Sequence, residues 1–244
     1  MYAPGVAEQF LPGIYRIPLR IGPITWVNAF LIVRDEAVLV DTGLPKRSKT
    51  ILRAIEGAGR RPFDVRHILI THHHVDHTGS LAELSRATEA RIYVHPLDAP
   101  IVRGEVPIPG PSMNTTGAKV MASLSRLLYP SQLERVGTSH QLQDGEELPL
   151  AGGLRVIHTP GHTAGHVSFL LEERGGVLFA GDAAGNLGRV GVPLGTYTED
   201  MEEAKRSIAK LAQMDFEYAC FGHGGVVKGQ AVARFRTLVE RLAA

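Results

Sequence analysis

The stretch from His72 to His77 reads His-His-His-Val-Asp-His, and it constrains this chain more than any other feature. It directly follows an apolar, β-branched run, residues 65–70, that is typical of a buried strand. Burying so many titratable side chains beside a core strand is costly unless their desolvation is compensated. Imidazole and carboxylate are the donors that zinc and similar divalent metals prefer. The pattern therefore favours a metal site at the end of a strand over a polar surface loop.

Composition restricts the function classes that are open to this chain. Its 244 residues are 44% hydrophobic and 21% charged, which suits one sizeable α/β domain. A net charge of +1 provides no basic surface for nucleic acid or an anionic membrane, so we expect neither partner. No apolar run in the sequence reaches the length of a membrane-spanning helix. A small molecule is the expected substrate.

The single cysteine and the N-terminal residues bear on the cellular compartment. Cys220 lies in an apolar, strand-like run and has no second cysteine with which to form an intramolecular disulfide. This fits a reducing environment, and we interpret Cys220 as a core residue and not as a nucleophile. The first residues lack the basic start and apolar core of a signal peptide. We therefore expect a cytoplasmic location.

Strands and helices alternate in both halves of the chain, which predicts sheets covered by helices in a single domain, residues 1–244. The predicted strands cover residues 13–19, 25–33, 37–40, 65–70, 91–94, 154–157, 167–171, 177–180 and 218–221. The predicted helices cover residues 46–55, 79–88, 201–214 and 230–242. Between the halves, residues 97–140 begin with prolines and glycines and continue as a helix over residues 118–128. Because long loops are often functional, we predict that this insertion is a lid over a site.

Further metal donors follow three of the later predicted strands. They are His162, Asp182 and His223, in Pro-Gly-His, Gly-Asp and Gly-His-Gly sequences. In each case a preceding glycine lets the backbone turn tightly at the end of the strand. Each pair is a weak signal alone, because Gly-Asp and Gly-His are common. In this order after the His72 to His77 stretch, they form a highly specific pattern.

With these motifs the chain resembles the metallo-β-lactamase superfamily along almost its whole length. The matching segments are Leu39-Val40-Asp41-Thr42-Gly43, Thr71 to His77, Pro160 to Thr163, Gly181-Asp182 and Gly222-His223-Gly224. The resemblance implies an α/β (α+β) fold, namely a four-layer αββα sandwich with the metals at the edge between its two sheets. The predicted helical lid would be inserted into that sandwich.

The resemblance also implies a role for each matching position, with two divalent metal ions as cofactors and zinc as the expected metal. One ion would be held by His72, His74 and His162, and the other by Asp76, His77 and His223. Asp182 would bridge both ions. Asp41 would orient a ligand histidine without binding metal itself.

A pair of ions held in this way suits hydrolysis. The ions can share a carboxylate and a water whose pKa falls to about 7, so that hydroxide forms near neutral pH. One ion would polarise a carbonyl oxygen, while Asp76 or Asp182 takes up the proton as the intermediate collapses. We therefore predict a dinuclear hydrolase that cleaves a small thioester, lactone or ester. Tyr197 and Tyr129 are further candidates for stabilising a developing oxyanion.

Six of the eleven histidines have no predicted ligand role. His73 lies between two predicted ligands and should point away from the metals, as a structural or solvent-facing residue. His158 and His166 flank His162, and we expect them to fix its loop through hydrogen bonds. The other three are interpreted as ordinary core or surface residues; they are His67, His95 and His140.

Other activities of the same fold are alternatives. Glyoxalase II relatives share the Thr71 to His77 pattern but add a helical domain that binds glutathione, and about twenty residues follow His223 here, enough for one helix. Acyl homoserine lactone lactonases have a tyrosine where this chain has Gly185. The main alternative to a hydrolase is a mononuclear iron sulfur dioxygenase. A phosphodiesterase or nuclease fits the nearly neutral charge balance less well.

Overall fold

The first of two stacked sheets contains seven strands, in the part of the chain that the computed structural model describes, residues 6–21, 25–110 and 130–244. These strands are β1 (Glu8–Leu11), β2 (Ile14–Ile21), β3 (Thr25–Val33), β4 (Ala37–Val40), β5 (Val65–Leu69), β6 (Arg91–Val94) and β7 (His140–Gln141). They lie side by side in chain order. Pairing is antiparallel from β1 to β4 and parallel from β4 to β7. The carboxyl ends of β4, β5 and β6 therefore share one edge.

The second sheet has six strands in the order β15-β14-β11-β10-β9-β8. They are β8 (Glu147–Leu148), β9 (Leu154–His158), β10 (Val167–Leu171), β11 (Val177–Phe179), β14 (Tyr218–Cys220) and β15 (Val227–Lys228). β11 and β14 are parallel, and the other neighbours are antiparallel. A separate hairpin pairs β12 (Gly185–Asn186) with β13 (Val190–Gly191).

Helices cover the outer faces of both sheets, except that the second helix in chain order, of four residues, contributes no side chain to either outer apolar layer of the described residues. They are α1 (Ser48–Gly57), α2 (Val75–Thr78), α3 (Leu81–Thr88), α4 (Ala99–Val102), α5 (Met201–Leu211) and α6 (Ala231–Ala243). Single turns of 3-10 helix occur at Pro62–Asp64, Glu173–Gly175 and Gly195–Tyr197. No helix among the described residues is both long and apolar enough to cross a lipid bilayer.

Three apolar layers define the order of sheets and helices. On β3, Leu31 packs with the helices α1 and α3, whereas its neighbour Phe30 packs between the two sheets. On β10, Phe169 faces the same inter-sheet layer, and Leu170 packs with α5 and α6. Because successive side chains on a strand point to opposite faces, strands that are apolar on both faces must be covered on both sides. This confirms the predicted four-layer αββα sandwich.

The predicted strands and helices are confirmed, with ends that differ by up to three residues. The sequence did not predict β1, the hairpin of β12 and β13, or the strands of only two residues, which are too short to show a period. Cys220 is fully buried in the inter-sheet layer, as expected for a core residue. The predicted helix over residues 118–128 lies outside the described residues, so the lid stays a prediction.

Candidate metal centre

The predicted metal donors follow the carboxyl ends of β5, β9, β11 and β14. Asp76 and His77 lie in the short helix α2 after β5, and the others lie in loops. Backbone hydrogen bonds join the two sheets beside these loops. The amide of Val167 donates to the Thr71 carbonyl at 2.8 Å, and the amide of Asn28 donates to the Gly222 carbonyl at 2.8 Å. The loops therefore meet where the edges of the two sheets come together.

The structure brings all of the predicted donor residues into overlapping groups, within which the potential ligand atoms lie within 4.8 Å of one another. We call His72, His74 and His162 the histidine group. We call Asp76, His77 and His223 the mixed group. A third set connects the two and consists of His72, His77 and Asp182.

Asp182 lies between the histidine group and the mixed group. Its Oδ2 atom is 3.4 Å from His162 Nε2 and 3.3 Å from His223 Nε2. Its Oδ1 atom is 3.6 Å from His77 Nε2. Asp76 Oδ2, from the mixed group, is 3.2 Å from His223 Nε2. One carboxylate therefore faces donors from both groups.

Four donor atoms at the centre are buried without a hydrogen-bond partner among the described residues. They are His72 Nε2, His77 Nε2, His162 Nε2 and Asp182 Oδ1. Buried polar atoms are normally paired, so a cluster of unpaired ones around a single point requires an explanation. Imidazole nitrogen and carboxylate oxygen are the ligands of zinc and similar divalent ions. The donor set therefore fits bound metal, which would satisfy these atoms.

Neighbouring polar groups determine which ring nitrogen of His72 and His77 faces the centre. Asp41 Oδ2 accepts hydrogen bonds from Thr71 Oγ1 and from His77 Nδ1, both at 2.8 Å. Because the Thr71 hydroxyl donates to Asp41, it acts as the acceptor for His72 Nδ1 at 3.0 Å. Both rings therefore present Nε2 to the centre, and Asp41 holds the ring of His77, one of the predicted ligands.

His162 is oriented by an equivalent relay on the other sheet. Thr198 Oγ1 donates to the Leu194 carbonyl at 3.0 Å and lies 3.2 Å from His162 Nδ1. The hydroxyl therefore accepts from Nδ1, and Nε2 is the nitrogen directed at Asp182. The sequence did not indicate Thr198, which lies 36 positions from its histidine.

Burial keeps the histidine group neutral. It lowers the pKa of His72 and His74 well below the usual value, and neighbouring imidazoles add to the effect. Burial also lowers the pKa of His162 to about 3, although the charge of Asp182 opposes it. Neutral imidazole is the form that binds a metal ion, so these rings need not lose a proton first.

In the mixed group, carboxylate charges outweigh burial. Burial would lower the pKa of His77, but Asp182, Asp41 and Asp76 raise it to about 9. The pKa of His223 is raised well above its usual value by Asp182 and Asp76, again against the effect of burial. In the absence of metal, protons on these two rings compensate the carboxylates.

At two positions beside the donors, the space is too small for any residue with a Cβ atom, so glycine is required. At Gly181, where φ is +53°, a Cβ would lie 2.7 Å from His166 Nε2 and 2.9 Å from Thr71 Cβ. At Gly222, a Cβ would overlap Asp182 Oδ1 and lie 2.6 Å from His77 Cε1. Gly222 is therefore needed for the close approach of the Asp182 carboxylate, whereas the sequence suggested only a tight turn.

The histidines that flank His162 have the expected supporting roles. His166 Nε2 accepts a hydrogen bond from the Asp182 amide at 2.9 Å, and its Nδ1 donates to Thr159 Oγ1 at 2.8 Å. Both ring nitrogens of His166 are thus occupied. His158 Nε2 donates to the Ala164 carbonyl at 2.9 Å. These hydrogen bonds fix the loop that carries His162.

The other four histidines belong to none of the donor groups. His73 is buried, with Nδ1 at 3.1 Å from Asp98 Oδ2, so the structural interpretation is confirmed and the solvent-facing one is wrong. The alternating loop turns His73 away from the centre, but into the protein interior. The remaining three have ordinary contacts: His67 with Tyr93 and Glu36, His95 with His158, and His140 with Glu146.

Of the two tyrosines predicted as candidates for stabilising an oxyanion, only Tyr197 is among the described residues. Tyr197 lies against the ring of His74, with 6.2 Å between ring centroids and an edge-to-face orientation. Tyr129 is outside the described residues.

Sequence reasoning missed Asn28, whose Nδ2 donates to the carbonyls of Phe221 and Gly224 and so holds the loop that carries His223. It also missed Asp98, whose carboxylate contacts two of the donor loops.

A double sheet covered by helices, with histidine and aspartate donors at its edge, is typical of one class of metal-dependent hydrolases. Comparison with known proteins supports the assignment of this chain to that class. Residues 26–223 match the model of the "Metallo-beta-lactamase superfamily". This chain belongs to that superfamily, and it is a metallo-hydrolase.

Individual relatives extend the match to nearly the full length. "Probable metallo-hydrolase YflN" of Bacillus subtilis (strain 168) is 29% identical, over 98% of this chain and 93% of that protein. The crystal structure of a metallo-beta-lactamase family protein from Thermus thermophilus superposes with a TM-score of 0.74 at 30% identity, covering 96% of this chain and 81% of that one. The hydroxyacylglutathione hydrolase of Halorhodospira halophila (strain DSM 244 / SL1) is 32% identical over 66% of this chain, but over 48% of that protein.

Proposed function

We propose that this protein is a dinuclear metal-dependent hydrolase that cleaves a small carbonyl substrate, which is a thioester, a lactone or an ester. The observation that carries the proposal is the position of Asp182, whose carboxylate faces unpaired donor atoms of both the histidine group and the mixed group. A carboxylate in that position is suited to two cations. Bound divalent ions would supply Lewis-acid polarisation of a carbonyl and would acidify water.

In this proposal the histidine group would hold one ion, the mixed group would hold the second, and Asp182 would be a donor to each. Asp41, Thr71 and Thr198 keep the Nε2 atoms of His77, His72 and His162 directed at the centre where the ions would bind. Zinc is the expected metal because it accepts a mixture of imidazole and carboxylate ligands without a redox change.

Proton transfer is assigned to the two carboxylates, Asp76 and Asp182. Burial would raise the pKa of both groups, but His77 and His223 hold each pKa below the usual value, so both are ionised near neutral pH. An ionised carboxylate can accept a proton during attack and return it to the leaving group. Asp76 Oδ2 and Asp182 Oδ2 both lie beside His223 Nε2, at 3.2 and 3.3 Å, so the proton has alternative acceptors.

The segment from Asn186 to Thr198 supports a substrate with an apolar part. It begins at the mixed group, where the Asn186 amide donates to the His223 carbonyl at 3.1 Å. It ends at the histidine group, where Thr198 contacts His162. Between these anchors, the side chains of Leu187 and Leu194 are 77% and 65% exposed. Exposed apolar side chains on a segment that joins both groups suit a ligand that covers them.

The experiment that tests the proposal is a substrate panel with metal analysis. Purified protein, freed of metal with a chelator and reloaded with zinc, should bind two equivalents and hydrolyse at least one member of a panel of acyl thioesters, lactones and carboxylic esters. Thioesters are the first class to test, because one relative is a hydroxyacylglutathione hydrolase. Phosphodiester cleavage alone, or oxygen consumption with a persulfide substrate in the iron-loaded protein alone, would contradict it.

A further inference from the structure

Asp98 is a buried carboxylate beside the metal centre that no ligand motif includes. It follows the carboxyl end of β6 and directly precedes α4, and only 1% of its surface is exposed. A carboxylate in such a position is costly to bury unless hydrogen bonds compensate it. Its partners therefore indicate what it does.

The partners of Asp98 come from two loops on different sheets. The amide of His73 donates to Oδ2 at 2.8 Å, in the loop that follows β5. The hydroxyl of Thr163 donates to the same atom at 2.8 Å, in the loop that follows β9. The amide of Gly165, in that second loop, donates to Oδ1 at 2.9 Å. One side chain thus ties together two loops that the chain itself does not connect directly.

These two loops supply the complete histidine group. His73 lies between His72 and His74, and Thr163 follows His162. The distance between the two loops therefore sets the distance between the first two ligands and the third. Through these hydrogen bonds Asp98 holds the backbone that carries the ligands, and not the ligand rings themselves.

The approach of the second loop to Asp98 is close enough to require a glycine. A Cβ at Gly165 would overlap Asp98 Oδ1 and lie 2.6 Å from the Asp98 amide nitrogen. The mixed group is held by other side chains, namely Asp41 at His77 and Asn28 at the loop of His223. The mixed group therefore has supports that do not pass through Asp98, although Asp41 also reaches His72 of the histidine group through Thr71.

We infer that Asp98 is a positioning residue that sets the affinity of the histidine group for its metal ion and leaves the mixed group largely unaffected. This inference rests on the proposed two-metal site. It can be tested with zinc alone, without any substrate, so its outcome does not depend on which carbonyl compound the enzyme cleaves.

The test uses two backgrounds that each keep one group. His223→Ala impairs the mixed group and His162→Ala impairs the histidine group, and zinc dissociation constants are measured by competition with a chromogenic chelator. Adding Asp98→Asn should raise the dissociation constant at least about tenfold in the His223→Ala background, as for other residues that orient ligands. In the His162→Ala background the change should be less than about threefold, because separate sites contribute nearly additively.

Two further variants separate positioning from general stability. Asp144→Asn is the matched control, because Asp144 accepts from the His158 amide and from Lys210 without joining the two sheets. It should leave both zinc affinities unchanged. Thr163→Val removes one hydrogen bond to Asp98 and should weaken zinc binding in the His223→Ala background by about threefold, with recovery in Thr163→Ser.

The possible results are distinct. Equal weakening in both backgrounds, or no weakening in the His223→Ala background, overturns the positioning role. If Asp98→Asn does not fold, the comparison of Thr163→Val with Thr163→Ser decides the question by the same criterion. If the unmodified protein binds a single zinc ion, the two-metal proposal fails, while the paired backgrounds still report whether Asp98 acts on the histidine group.

Discussion

The histidine group and the mixed group share one carboxylate and one sheet edge, yet their electrostatics are opposite. Burial lowers the pKa of all three rings in the histidine group, which are therefore neutral. In the mixed group, His77 and His223 lie among carboxylates that raise their pKa values. The first group is ready to receive a cation, whereas the second must exchange protons for one.

The supports of the two groups differ as well. In the mixed group, Asp41 contacts a ligand ring directly, through His77 Nδ1. In the histidine group, Thr198 contacts His162, while Asp98 fixes the loops and not the rings. The comparison teaches that ligand identity alone does not determine how a site binds metal. The charge and the support around each ligand also contribute.

The largest expected effect is that of Asp182→Asn, which changes the one residue that both groups share. Loss of the carboxylate charge should lower kcat/KM for whichever substrate the panel identifies by about a thousandfold or more, with the fold retained. His72→Ala should have a similar effect. Steady-state kinetics, zinc content and circular dichroism check this. Nearly full activity in either folded variant would contradict the assigned site.

The pH dependence of zinc binding should separate the two groups most clearly. Because the metal-free pKa of His77 is raised to about 9, zinc must displace its proton at any lower pH. Affinity of the mixed group should therefore rise about tenfold per pH unit between about pH 6 and 8 for each proton released. The pKa of His162 is about 3, so affinity of the histidine group should be nearly constant over this range.

The measurement is zinc affinity at about pH 6, 7 and 8, in the variants His162→Ala and His223→Ala. The first variant keeps the mixed group, and its dissociation constant should fall at least about a hundredfold over the range. The second keeps the histidine group and serves as the control. Parallel pH profiles in the two variants would show that their charge states do not differ as the structure indicates.

A smaller effect is expected from Asp41→Asn, which keeps the shape of the side chain but removes its charge. Asp41 has a positive φ of 61°, a conformation that asparagine tolerates, so the backbone should be unchanged. The His77 ring loses a charged acceptor, and zinc affinity of the mixed group should fall about tenfold to a hundredfold. Chelator competition measures it. The histidine group, which Asp41 reaches only indirectly through Thr71 and His72, should lose less affinity, and an unchanged mixed group would contradict the role of Asp41.

Most of the sandwich and the set of donors could be predicted because their signals are local. Strands such as β3 and β10 are short apolar runs, and each predicted donor follows the end of a strand by no more than about eight residues. The supports could not be predicted in this way, because they depend on loops that are distant in sequence. Asp98 and Thr163 are 65 positions apart, and only the folded chain brings them together.

The choice between the two alternatives at His73 depends on the same kind of information. The alternation of side chains along the loop correctly predicts that His73 points away from the centre. It does not reveal what lies on the other side of the loop. There the interior contains Asp98, so His73 is buried and not exposed to solvent. A local period gives the direction of a side chain relative to its neighbours, and the topology decides what that side chain meets.

The smallest expected effects come from the exposed leucines between the two groups. Leu194 is next to the support of the histidine group, because its carbonyl accepts from Thr198, and Leu187 follows Asn186 at the mixed group. If the acyl part of a substrate covers one of these side chains, replacing it with serine should lower kcat/KM about threefold to tenfold for an octanoyl substrate and leave an acetyl substrate unchanged. Leu242→Ser, at an exposed position in α6, is the matched control. If only one of the variants Leu187→Ser and Leu194→Ser loses activity toward the octanoyl substrate alone, the acyl chain lies beside the group next to that leucine. An equal loss for the octanoyl and acetyl substrates would indicate a disturbed loop and no acyl contact.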